Sequence, residues 1–215
     1  RQGGTLDRLK QLIANNFPVL IEEGYDPPGE NLGWMGHYLL ISGYDDAAQQ
    51  FTTQDSYKGP NMVYSYDHIS EFWKHFNRLY IVLYDKSREV ELMTLLGGDA
   101  DPNQNNYNAL VQATQDAQAN AQDAFAWFNV GTNYVAMGDY EKAAAAYDIA
   151  RNLGLPWRMM WYQFGPFEAY YHMGRFDDML ALADANLNDG GGQYVEETFY
   201  YGGLAREGLG QNDRA

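Results

Sequence analysis

The sequence predicts an α+β domain built on an antiparallel sheet, followed by an all-α array of helical hairpins. Three observations lead there. Short apolar runs rich in β-branched residues alternate with turn residues as far as Tyr84; a helical period takes over after Asp85; and glycines recur at 138, 174 and 210, every 36 residues, each inside a similar phrase. A chain of 215 residues can hold one large domain or two small ones, and the change of period favours two. We place a first domain at 1–84, a linker at 85–103 and a helical array at 104–215.

The first element is a helix. "TLDRLKQLIANN" spaces Leu6, Leu9, Leu12 and Ile13 along one face, with Thr5 as N-cap. The runs "FPVLIEEGY", "HYLLISGY" and "QQFTTQDS" read as three antiparallel strands, separated by Pro27-Pro28-Gly29 and by Gly43-Tyr44-Asp45-Asp46. "SYDHISEFWKHF" reads as a helix capped by Ser65, with Ile69, Phe72, Trp73 and Phe76 on one face. "RLYIVLY" follows as a further buried strand ending near Tyr84.

The helical half carries the phrases "MGDYEKA", "MGRFDDM" and "LGQNDRA". Around the first stand Trp127, Val130, Gly131, Tyr134, Ala143, Tyr147 and Ala150, with Pro156 closing the unit. This pattern resembles the tetratricopeptide repeat. Small Gly131 and Ala143 would let two helices approach, while Trp127, Tyr134, Tyr147 and Tyr170 would be buried between hairpins, since no unit covers its apolar face alone. The second unit has Phe167, Met179 and Asn186 in place of Gly131, Ala143 and Ala150. Its Gly165-Pro166 should kink or restart the first helix, because proline removes a backbone donor. A third unit stops at Ala215 before a second helix could form, and the start, Arg1-Gln2-Gly3-Gly4, shows neither an initiator methionine nor a signal-peptide pattern; we expect a fragment of a longer protein.

Composition narrows the function. The net charge is −15, with six basic and ten acidic side chains up to Tyr84 and eight and nineteen beyond, so the surface repels phosphate backbones and nucleic acid is not an expected partner. No run approaches the roughly 18 apolar residues of a membrane span. The chain has no cysteine, which removes disulfides, thiolate metal sites and a cysteine nucleophile from its own inventory and says nothing about redox compartment.

The stretch "GHYLLISGYDD" followed by "TTQDSY" resembles the second half of the papain-like, double-glycine-leader cysteine peptidases, those that trim bacteriocin-type precursors. The resemblance covers about Leu6 to Tyr84, including "NFPVLIE" and "EFWKHFNRLYIVLY". It implies that His37 is the general base and Asp55 the carboxylate that orients it, with Trp34 and Tyr38 flanking the cleft and the Gly24 to Met35 loop bordering the substrate path. Imidazole titrates near neutral pH, and a carboxylate on its second nitrogen fixes the tautomer and stabilises the charged form. Two features depart from the family. Ser56 stands where relatives usually have proline, and the cysteine with its oxyanion-hole glutamine, carried by the family on an earlier helix, is absent. From residue types alone, the favoured reading is a strand-end histidine hydrogen-bonded in a core, with Asp55 a turn former capping the next loop.

Other patterns carry less. His68 and His75, seven apart, lack a third ligand and read as surface residues, so no metal is expected. "DADPNQNNYNAL" has oxygen ligands at alternate positions but lacks the glycine and final glutamate of a calcium loop, and reads as a helix cap. Glu22-Glu23 and Asp45-Asp46 are adjacent, so on strands each pair splits between two faces. The glycines at 190 to 192 lack a phosphate loop's lysine and read as a linker, leaving no cofactor expected.

Two functions stay open. One is a peptidase-like parent, with this chain holding base and orienter and inactive without its nucleophile; the face bearing His37 and Trp34 would then be an exposed apolar surface awaiting cover. The other is a scaffold in which a degenerate peptidase-like half accompanies a repeat array that binds a protein or peptide. Phe128, Phe164 and Tyr200 recur every 36 residues and could line the array's inner surface, or fill the stack.

Overall fold

A computed structural model describes residues 1–26, 32–188 and 191–214. The compact units are Arg1–Gln115 and Asp116–Ala215.

The first unit runs α1 (Leu6–Ala14), β1 (Val19–Tyr25), β2 (Met35–Asp45), β3 (Gln50–Asp55), β4 (Gly59–Ser65), α2 (Tyr66–Trp73), β5 (Tyr80–Val82) and α3 (Glu89–Leu96), then enters α4 (Pro102–Ala119). Its strands form one antiparallel sheet in the order β4-β3-β2-β1-β5. Thr5 caps α1 by accepting from the Arg8 N–H, and Ser65 caps α2 by accepting from the His68 N–H. Along β2 the side chains of His37, Leu39 and Ile41 turn inward, and along β3 those of Phe51, Thr53 and Asp55 do. Val19 and Ile21 of β1 pair with Ile41 and Leu39, so one sheet face forms the core, covered by Leu9 and Leu12 of α1 and Ile69 and Trp73 of α2.

Three differences from the sequence reading follow from packing. β4 is a strand that "GPNMVYS" does not announce, because its side chains are largely exposed and its pattern is weak. β5 is a three-residue edge strand in place of a long buried one: Ile81, Leu83 and Tyr84 are exposed, Tyr80 is buried in the core and Val82 packs against it partly buried. Residues 85–103 are not an extended connector. Leu92 and Leu96 of α3 join the core of the first unit, and Arg8 ties the end of α3 down by donating to the Leu95 and Leu96 carbonyls and to Asp99. The compact units therefore divide near residue 115, beyond the 84–103 interval. Asp101 caps α4 by accepting from Gln104, the role expected of that turn, and Asp99 bonds Asn108 and Arg8.

The second unit is helical: α5 (Ala124–Ala136), α6 (Tyr140–Leu153), α7 (Gly165–His172), α8 (Phe176–Asn188) and α9 (Glu196–Gly208). Gly138, Gly174 and Gly210 follow α5, α7 and α9 with φ of 75°, 66° and 73°, a left-handed conformation that ends a helix without the Cβ penalty. The 36-residue spacing thus marks the same corner three times. Gly131 lies where a Cβ would stand 2.7 Å from the Tyr147 ring, so its lack of a side chain makes room for that ring. Pro166 restarts the chain: α7 begins at Gly165, and a 3-10 turn, Trp157–Trp161, takes the place of its missing first turns. Beside that break is a cavity of about 270 Å3 walled by Phe128, Tyr147, Pro156, Met159, Pro166 and Leu182.

Tyr147 and Tyr170 are fully buried, as expected, whereas Trp127 and Tyr134 are only half-buried; Trp127 lies along the first hairpin with its indole N–H on the Ala121 carbonyl. Of the glycines at 190 to 192, the first lies outside the described residues. Gly191 and Gly192 pack against Trp161 and the Asn186 backbone, tighter than a linker would. Among the described residues no helix is long and apolar enough to cross a membrane.

Tyr147→Ala should lower unfolding free energy by about 3 to 5 kcal/mol, the range for a buried aromatic, and Trp127→Ala by clearly less. Gly131→Ala should cost about 1 to 3 kcal/mol despite alanine's better helix propensity, because it overpacks the Tyr147 ring. Urea denaturation checks both; a stabilising Gly131→Ala would mean the two helices are not in this register.

Candidate active site

Register brings the site together. His37 stands opposite Glu23 on β1, and Leu39, two residues on, stands opposite Asp55 on β3. Because side chains alternate, Glu23, His37 and Asp55 all lie on the core-facing side, at the end where the apolar layer stops.

His37 Nε2 is 2.9 Å from Asp55 Oδ1. The two atoms are in close approach without an aligned hydrogen bond. The same Oδ1 accepts the Tyr57 and Lys58 backbone N–H groups at 2.7 and 2.8 Å, and Oδ2 accepts the Tyr64 hydroxyl. Asp55 is therefore both a turn former and the partner of His37. Burial works against its ionisation, but the Tyr64 hydroxyl, the two backbone donors and His37 together outweigh burial and hold its pKa below the usual carboxylate value. The tyrosine is pushed the other way: burial, then its bond to Asp55, raise its pKa strongly.

His37 is 6% exposed, with Tyr25 at a ring distance of 5.1 Å and Tyr57 edge-on at 6.4 Å. The expectation of an open apolar face around His37 and Trp34 is thus corrected, since the unit covers it with its own aromatics. Trp34 is also buried. Its ring stacks on Phe76 at 5.6 Å, and its indole N–H donates to His75 Nδ1 at 3.1 Å, which makes His75 a core residue in place of a surface one. Tyr38 points to the opposite sheet face, where it stands across from Glu22 and hydrogen-bonds it. It cannot flank a cleft on the His37 side. Burial raises the Glu22 pKa, with the Tyr38 bond countering in part. Gly24 belongs to β1 and Met35 to β2, and residues 27–31 between them lie outside the described residues.

Sequence reasoning does not place Glu23, Tyr64, Tyr25 or Tyr57 at the site. The signal for Glu23 is its position two and four residues beyond the inward-facing Ile21 and Val19, which puts an acid on a buried face; it becomes legible only with the β1–β2 register. Asp45 and Asp46 serve structure alone: Asp45 accepts from the Ala47 and Ala48 N–H groups, and Asp46 from Tyr66 and Lys10. Among the described residues no group of three or more His, Cys, Asp or Glu is placed to hold a metal ion.

The proposed partner surface of the helical unit also changes. Phe128 is 1% exposed, its ring 4.9 Å from that of Tyr147, so it is part of the packed interior and of the cavity wall. Phe164 is half-buried beside Tyr201, and Tyr200 is exposed. The equal spacing of the three does not give equal environments: α7 starts late and leaves Phe164 at its N-cap, while Phe128 packs on Tyr147 inside the unit and Tyr200 of α9 is exposed.

A family model described as the Peptidase_C39 like family matches residues 1–85. The match supports a papain-like, peptidase-like domain over residues 1–85. No curated protein and no solved structure matches the chain.

With its folded-state pKa below the unfolded value of about 3.9, Asp55 contributes stability that is present above that pH and is lost as the pH falls through the folded value. Tyr64→Phe removes one donor to this carboxylate and should cost about 1.5 to 3 kcal/mol at pH 7. Denaturation repeated at descending pH should show the difference between variant and parent shrinking as Asp55 protonates; a difference independent of pH would place the Tyr64 contribution elsewhere.

Proposed function

We propose that the first unit supplies the general base, His37, and the orienting carboxylate, Asp55, of a cysteine-peptidase site of the double-glycine-leader type, and that the helical unit is a tetratricopeptide-repeat module for a protein or peptide. The observation that carries this is the 2.9 Å approach of His37 Nε2 to a buried Asp55 within the matched residues. With Nε2 on the aspartate, Nδ1 is the ring nitrogen that would take a thiol proton; the imidazolium so formed would be stabilised by Asp55 and would return the proton to the leaving amine. The chain contains no cysteine, so in this reading the nucleophile would have to be supplied from outside these 215 residues.

A scaffold reading is favoured by one observation, the near-complete burial of His37 under Tyr25 and Tyr57. In that reading the first unit is a non-catalytic fold and the array does the binding. Tyr200 and Phe164 remain the aromatics that could meet a partner; Phe128 does not.

The two separate on the parent gene. If a cysteine is encoded upstream, the extended protein should alkylate with iodoacetamide faster than a free thiol, and His37→Ala should reduce that rate by at least tenfold because the thiolate fraction falls. Absence of a cysteine, or a rate unaffected by His37→Ala, leaves the scaffold reading.

A further inference from the structure

Glu23 is 0% exposed, and neither of its carboxylate oxygens has a hydrogen-bond partner. Burying a lone ionised carboxylate is far too costly to persist, so the group is either protonated or matched by a nearby cation. The nearest candidate is His68 on α2, whose Nε2 is 3.6 Å from Glu23 Oε1 and is itself buried without a hydrogen-bond partner. The His68 side chain is 25% exposed, so this ring runs from solvent down to the buried acid.

The surroundings tie this pair to the site. The His68 ring stacks on Tyr64 at 4.7 Å and 23°, and Tyr64 donates its hydroxyl to Asp55, the partner of His37. Glu23 faces His37 across the β1–β2 ladder. The other titratable groups facing the cluster are Tyr25 of β1, Tyr57 and Lys58 of the β3–β4 turn, and His75 beyond α2. Lys58 Nζ lies 4.9 Å over the Tyr25 ring and 5.4 Å over the Tyr64 ring, stacked on aromatics and not salt-bridged to Glu23. His75 accepts from Trp34.

We propose that Glu23 and His68 form a second acid–imidazole pair in this unit, an ion pair in which the proton resides on His68, and that the pair acts as a positioning device: it holds the ring of Tyr64, and through the Tyr64 hydroxyl the carboxylate of Asp55, in place for His37. The proposal rests on the reading of His37 and Asp55 as base and orienter, but the pair itself is detectable without any nucleophile. In this proposal Glu23 and His68 act through Tyr64 and Asp55, as positioning residues. A purely structural Glu23 would be an unprofitable residue here, since a neutral side chain of similar volume would avoid its desolvation.

The test is nitrogen-15 NMR of the histidine rings in the 215-residue protein near neutral pH. His68 should show both ring nitrogens protonated. Glu23→Gln should convert it to a neutral ring, shift the Tyr64 and His37 ring resonances, and leave the melting temperature equal or higher. A neutral His68 in the parent, or a His68 signature unchanged by Glu23→Gln, overturns the proposal. If Glu23→Gln does not fold, His68→Phe keeps the stack on Tyr64 and removes the cation: displaced His37 resonances support the coupling, and undisturbed ones overturn it. The alkylation experiment on the extended protein reports separately, so a protonated His68 lost in Glu23→Gln alongside an unreactive thiol would retain the pair and reject the peptidase reading.

Discussion

The antiparallel register of β1, β2 and β3 is the constraint on which the first unit depends, because one alignment serves two opposite demands. It puts Val19, Ile21, Leu39, Ile41 and Phe51 on the face covered by α1 and α2, and it carries Glu23, His37 and Asp55 onto the end of that same face. A slip of one residue would send the apolar set to solvent and the polar set with it. The apolar half holds the register, and the polar half is positioned by it at no separate energetic gain. A bulge between Ile41 and Gly43 confines the irregularity of β2 to the end away from His37.

Polar burial at the site is uneven. Asp55 is saturated with donors and stays ionised easily. Glu22, on the other face, has a tyrosine hydroxyl against a burial penalty, and Glu23 has only an imidazole at 3.6 Å. Three carboxylates within a few residues of one ladder would be a poor choice for stability alone, since apolar groups of the same shape avoid the desolvation. The sheet tolerates them because its apolar layer and the two capped helices hold the strands independently of those groups.

In the second unit a repeated corner and a single break do different work. The left-handed glycines at 138, 174 and 210 keep the helices turning at the same phase, and Gly131 admits Tyr147. Pro166 then removes the first turns of α7, so Phe164 falls at its N-cap beside Tyr201, whereas Phe128 is buried within α5 and Tyr200 is exposed on α9. The cavity walled by Phe128, Met159 and Pro166 lies next to that break.

Local chemistry by itself determined the elements whose signals are short-ranged. The caps at Thr5 and Ser65, the turn at Asp45, the glycine corners and the restart at Pro166 all act within a few residues, and the alternation in β2 and β3 announces which side chains face inward. It also singled out His37 and Asp55, through residue types and their resemblance to a known pattern. Only the tertiary structure decided what depends on partners distant in the chain. Leu92 and Leu96 had to meet the sheet core before residues 85–103 ceased to look like a connector, and β4 and β5 gain strand character from their neighbours more than from their own side chains. The fates of Trp34, Tyr38 and Glu23 were settled by which sheet face and which ring each one meets, a matter of register and packing that no local pattern encodes.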